Sequence, residues 1–71
     1  MNKWVYKSDC NKPFEVDFYD RVGYYRRGID ANGLPRYVCR HYIFGSKEDA
    51  IIAMVKDIKI KINELLDRIP V

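Results

Sequence analysis

The chain has 71 residues, with 48% hydrophobic, 32% charged and 14% aromatic side chains and a formal net charge of +3, which allows one small domain and little room for a deep active site. No apolar run approaches the ~20 residues of a membrane span, and Met1-Asn2-Lys3-Trp4 lacks the apolar core of a signal peptide, so a cytoplasmic protein with no membrane partner is expected. Cys10 and Cys39 are expected as reduced thiols, and with His41 they fall short of the four ligands of a structural zinc site, so no metal and no cofactor is implied. Paired carboxylates, a nucleophile elbow and a phosphate loop are all missing, and an enzyme is not expected.

In chain order, Trp4-Val5-Tyr6 is a short apolar run that ends in the polar loop Ser8 to Pro13. Phe14 to Tyr19 alternates, with Phe14, Val16 and Phe18 on one face and Glu15, Asp17 and Tyr19 on the other, the pattern of a half-buried antiparallel strand. Two further β-type runs, Val22 to Ile29 and Arg36 to Phe44, flank Asp30-Ala31-Asn32-Gly33, a hairpin signal because Asn and Gly tolerate positive φ. Gly45 then leads into Ser46, an N-cap serine followed by Glu48 and Asp49 at the positive end of a helix dipole. The predicted fold is α+β: a three- or four-stranded antiparallel sheet packed on one long C-terminal helix. Residues 1–71 form one domain, with strands within 3–44 and the helix at about 46–68.

Along that helix Ile51, Val55, Ile58, Ile62, Leu65 and Ile69 recur at spacings of 4, 3, 4, 3 and 4, a stripe held for more than two heptads. Twenty-two residues from Lys47 to Arg68 would reach about 33 Å, longer than strands of ~17–20 Å can cover. Ile58, Ile62, Leu65 and Ile69 are therefore expected to meet Trp4 and Tyr6, a partner, or a second copy in a homodimer. Ile60 points nearly opposite Ile51, Ile58 and Ile62.

The charge is uneven. Residues 46 to 71 hold five basic and five acidic side chains, so the excess lies in the sheet half. Between residues 21 and 42 there are five arginines (Arg21, Arg26, Arg27, Arg36 and Arg40) against the single acid Asp30, with Tyr24, Tyr25, Tyr37 and Tyr42 interleaved. Arginine forks match phosphates and tyrosines stack or donate, so basic-aromatic interleaving suits nucleic acid. A four-residue loop would pair Ile29 with Leu34 and set Arg27 opposite Arg36. Arg21, Tyr25, Arg27, Arg36, Arg40 and Tyr42 would then form one cationic face, leaving Val22, Tyr24, Tyr37, Cys39 and Ile43 for the helix. A bulged three-residue loop would instead bring Tyr24 and Arg26 to the arginine side. Glu15 and Asp17 are the acids that could neutralise such a face by cross-strand pairing.

The stretch Y-Y-R-R-G-I-D-A-N-G-L-P-R-Y-V-C-R-H-Y-I-F-G-S-K-E-D-A-I-I-A-M-V, Tyr24 to Val55, resembles the arm-type DNA-binding domain at the N-terminus of tyrosine recombinases (phage integrases). The resemblance rests on the D-A-N-G hairpin, the basic strand after it, and the phenylalanine before S-K-E-D-A. It implies a sheet that enters the major groove, DNA contacts from Arg27, Arg36 and Arg40, and Ala50, Met54 and Val55 packed behind the sheet. The acidic strand with Glu15 and Asp17 and the heptad past Ile58 depart from that family. Without a catalytic domain the chain would be a stand-alone relative. Two functions follow: a double-stranded DNA-binding module using Arg21, Tyr25, Arg26, Arg27, Arg36, Arg40 and Tyr42, or a small phage-type protein that binds and inhibits a host enzyme or defence system.

Overall fold

The computed structural model describes residues 1–70. Five strands, β1 (Asn2–Val5), β2 (Phe14–Val22), β3 (Tyr25–Asp30), β4 (Pro35–Cys39) and β5 (Ile43–Phe44), precede one helix, α1 (Lys47–Asp67). They form one antiparallel sheet in the order β4-β3-β2-β1-β5. The α+β expectation holds, with a two-residue strand β5 added at the edge. Among the described residues no helix is long and apolar enough to cross a membrane.

Chain length forces this sheet to curl. Only Arg40, His41 and Tyr42, a single 3-10 turn, separate β4 from β5, which are the two edge strands. Four Cα steps from Cys39 to Ile43 reach at most about 15 Å. In a flat sheet four strand spacings would put these edges about 19 Å apart. The sheet therefore rolls, and side chains from distant strands meet inside it. Val5, Val16, Phe18 and Val38 form the buried core, with Phe14 and Ile43 packed against it. The alternation of Phe14, Val16 and Phe18 does face this core, but its cover is the sheet itself rather than the helix.

The β2–β3 connection is a two-residue turn, Gly23-Tyr24, between the paired Val22 and Tyr25. Gly23 has φ +61, as the first central position of a primed hairpin turn requires. Thus Val22 to Ile29 is not one strand: Val22 ends β2 and the chain reverses at Gly23. The β3–β4 loop is one residue longer than predicted, Asp30 to Leu34, because Ile29 pairs with Pro35 and Gly28 with Arg36. Gly33 alone takes the positive φ, +78. The Asp30 carboxylate takes over the loop's backbone, accepting from Asn32 N–H at 2.9 Å and Leu34 N–H at 3.0 Å.

Helix α1 begins as expected, with Ser46 Oγ accepting from Asp49 N–H at 3.2 Å. It lies outside the roll, against β1 and β5. Ala50 is fully buried, Asp57 accepts from Tyr6 Oη at 2.8 Å, and Lys61 donates to the Ser8 carbonyl at 3.2 Å. The remainder overhangs, and the molecule measures 51 × 22 × 19 Å. Trp4 and Tyr6 serve the first half of the helix: Lys47 Nζ sits 5.4 Å above the Trp4 ring, and Tyr6 bonds Asp57. They do not cover the seam, where Ile58, Ile62 and Leu65 stay 44%, 49% and 58% exposed and Ile69 is likewise exposed. Ala50 is packed behind the sheet, Met54 is half-buried, and Val55 is exposed, contrary to the place the resemblance implied for it.

Candidate functional site

The observed register divides the arginines between two surfaces. On the outer face of the roll, Arg27 is paired with Asp20 and forms an ion pair with it. That arginine, together with the N–H of Arg21, holds the Asp20 carboxyl below the usual carboxylate range. Tyr25 and Tyr37 share this face, stacked with ring centroids 4.8 Å apart and planes 15° from parallel. Arg36 lies on the other face, with Val38, where its Nε donates to Asp30 at 2.7 Å and its guanidinium covers the Phe14 ring at 5.0 Å. The N–H of Leu34 and then Arg36 hold the Asp30 carboxyl low. Arg27 and Arg36 therefore do not form one cationic face. The one-residue shift sets Arg27 opposite Tyr37, and side chains alternate between faces, so the shift separates them. Both are charge-compensated, by Asp20 and Asp30 rather than by Glu15 and Asp17. Asp17 instead accepts from the amino group of Met1 at 2.7 Å.

The other predicted cations gather at one end of the roll. Arg26 pairs with Val38 and faces inward, the side that the three-residue-loop alternative would have given it. Arg21 is directly opposite Arg26. β4 ends at Cys39, so Arg40 and Tyr42 lie in the 3-10 turn rather than on a strand. Arg40 donates its backbone N–H to the Tyr24 carbonyl at 2.8 Å and holds its guanidinium over the Tyr24 ring at 4.8 Å. Tyr42 is elsewhere, with Lys7 Nζ 5.3 Å above its ring. Lys3, which no sequence pattern singles out, joins these cations. Its place in β1 opposite Val16 turns it inward, to the end where Arg26 and Arg40 converge. Alternation in Asn2–Val5 puts Lys3 and Val5 on one face, but only closure of the roll brings Lys3 to Arg26.

Two neighbouring clefts share Lys3 and Arg26. One, of about 160 Å³, is lined by Lys3, Arg26, Arg40, Ile43, Phe44 and Gly45, three cations and no acid. The other, of about 420 Å³, adds Arg21, Tyr19 and Phe18, with Asp20 and Met1 at its side. Among the described residues no carboxylate lies within 4.0 Å of the charged groups of Lys3, Arg21, Arg26 or Arg40. Arg26 Nε is buried without an acceptor. Like charges directly opposite on neighbouring strands repel, and a buried N–H without a partner costs about 1–3 kcal/mol. An anion seated between Arg21, Arg26 and Arg40 would relieve both.

Cys10 and Cys39 are free thiols, and His41 is exposed in the 3-10 turn. No group of three or more His, Cys, Asp or Glu side chains among the described residues is placed to hold a metal ion. No protein-family model, curated protein or solved structure matches the chain.

Proposed function

We propose that the chain is a small nucleic-acid-binding module that takes double-stranded DNA by its phosphates at the end of the roll, with Lys3, Arg21, Arg26 and Arg40 as the contacts. One observation carries this: Arg21 and Arg26 stand directly opposite each other, among the described residues no carboxylate lies within 4.0 Å of either guanidinium, and Arg26 Nε is buried with no acceptor. Phosphate oxygens supply both the charge and the acceptors that this pair lacks. Tyr24 and Tyr19 flank the cations and suit stacking or phosphate hydrogen bonds. The resemblance to recombinase arm domains supports the same class of ligand, although the contacts shift from Arg27 and Arg36 to Lys3, Arg21 and Arg26. A cytoplasmic site of action belongs to this proposal.

The test is a duplex titration across salt concentrations. Up to four neutralised phosphates give a log–log slope of about −3 to −4, at ~0.9 per phosphate. Arg26→Ala and Arg40→Ala should each weaken binding and make the slope shallower by about one contact. Arg27→Ala and Arg36→Ala should leave the slope unchanged. No duplex binding by micromolar protein at low salt overturns the proposal.

A second reading, capture of a protein partner by an inhibitor, draws on the stacked, exposed Tyr25–Tyr37 pair beside Val22 and the neutralised Arg27–Asp20 pair. Tyrosine anchors of this kind are enriched at protein interfaces. It predicts that Tyr37→Ala abolishes capture of one partner while Arg26→Ala does not.

A further inference from the structure

Helix α1 presents, from Ile51 onward, an apolar seam that the sheet leaves free. The residues that face the sheet are Ala50, Ala53, Met54, Asp57 and Lys61. Each seam residue, Ile51, Val55, Ile58 and Ile62, directly follows one of these in sequence and so lies ~100° further round the helix. Leu65 continues the line, so the helical seam runs about 21 Å at ~1.5 Å per residue, and Ile69 follows just beyond the helix end. It begins at Ile51 because Glu48 occupies the preceding heptad position.

From this geometry we infer that the seam is filled by a second copy of the same helix, in a parallel, in-register pair. In heptad terms Val55, Ile62 and Ile69 are the a positions, all β-branched, and Ile51, Ile58 and Leu65 are the d positions. The flanking residues fix the direction. The g positions hold Lys47, Met54, Lys61 and Arg68, and the e positions hold Ile52, Lys59 and Leu66. In a parallel pair each g residue meets the e residue five positions on in its partner: Lys47 with Ile52, Met54 with Lys59, Lys61 with Leu66. Every such contact joins one cation to one apolar side chain, so no two cations meet. The ammonium groups of Lys47 and Lys61 stay with their own chain, over Trp4 and at Asp57 and the Ser8 carbonyl, while their stems line the partner's apolar edge. In an antiparallel pair g faces g, and every register that overlaps the whole seam opposes like charges, Lys61 with Lys61 or Lys47 with Arg68.

Isoleucine at both a and d positions disposes such a seam toward three or four strands, and the flanking sheet is what favours two. Met54, at a g position, is already half-buried on the sheet side, so the seam open to a partner is narrow. The cleft lined by Lys3, Arg26 and Arg40 includes Gly45, just before the helix start. A parallel pair therefore sets two such clefts at one end of the particle.

Sedimentation equilibrium of the whole chain at tens of micromolar should return twice 8.5 kDa. Ile62→Asp should convert the dimer to a monomer, and Ile60→Asp, on the far side of the helix, should not. In a Cys10→Ser, Cys39→Ser background, Leu65→Cys should cross-link to its own copy under mild oxidation, which only a parallel, in-register pair allows. A monomeric wild type, a trimer, or a dimer that fails to cross-link overturns the inference. Duplex binding by the Ile62→Asp monomer, lost on adding Arg26→Ala, keeps a failure of pairing distinct from a failure of the nucleic-acid proposal.

Discussion

The Tyr6 hydroxyl donates to the Asp57 carboxylate at 2.8 Å, joining the chain just after β1 to the middle of the helix across 51 residues of sequence. Asp57 also meets Lys61 Nζ at 3.1 Å, and Lys61 in turn holds the Ser8 carbonyl. This chain of bonds is the last point at which the sheet grips the helix before the overhang. Tyr6, then Lys61, hold the Asp57 carboxyl low, and the same bond pushes the Tyr6 phenol up from 10.0.

Tyr6→Phe should keep the fold and loosen the second half of α1. Hydrogen exchange at Ile58 to Asp67 should quicken while β2 and β3 stay protected. Uniform quickening across the whole chain would contradict the assignment of Tyr6 as a local tether.

Acid sensitivity should centre on Asp30, which is 8% exposed. Its folded carboxyl titrates below its ordinary 3.8, so the bonds to Leu34, Asn32 and Arg36 contribute fully above about pH 4 and are lost as the pH falls through the lower, folded value. Asp30→Asn should therefore lower Tm at pH 7 and flatten the fall in Tm below pH 4. Because Asp30 accepts from the Asn32 and Leu34 N–H groups as well as from Arg36, Arg36→Ala should cost less than Asp30→Asn. The reverse order would place the loop's stability in the ion pair.

Two glycine substitutions should differ for physical reasons. A Cβ at Gly28 would sit 2.6 Å from both the Asp17 carbonyl oxygen and Val16 Cγ1, in the middle of the sheet. Gly28→Ala should cost about 1–3 kcal/mol or more by overpacking, and each 1 kcal/mol lowers Tm by roughly 4–8 °C in a domain this size. At Gly33 the space is open and only the φ of +78 is unfavourable, so Gly33→Ala should cost about 1 kcal/mol. Chemical denaturation of both variants tests the order.

Stability and binding should separate at the arginines. Arg26→Met removes a buried N–H that has no acceptor, so Tm should hold or rise while duplex affinity falls. Arg27→Met breaks the pair with Asp20 and should leave the salt slope of binding as it was. A fall in Tm for Arg26→Met with affinity unchanged would mean that Arg26 serves the fold.

The local rules of the chain were legible in its sequence. Ser46 with Glu48 and Asp49 marked the helix start, the alternation from Phe14 to Phe18 marked the core face of β2, and the stripe from Ile51 to Leu65 marked a helix longer than its sheet. Each is a short-range pattern, set by helical or strand periodicity and by capping. Which cations stand together was a tertiary outcome. A fifth residue in the loop after Asp30 moved the β3–β4 register by one, and a one-residue slip sends side chains to opposite faces. The reversal at Gly23 and the three-residue link from β4 to β5 then rolled the sheet, which brought Lys3 to Arg26 and Arg40 and left the helix outside. Such placements depend on how distant strands close on one another, and no window of sequence contains both partners.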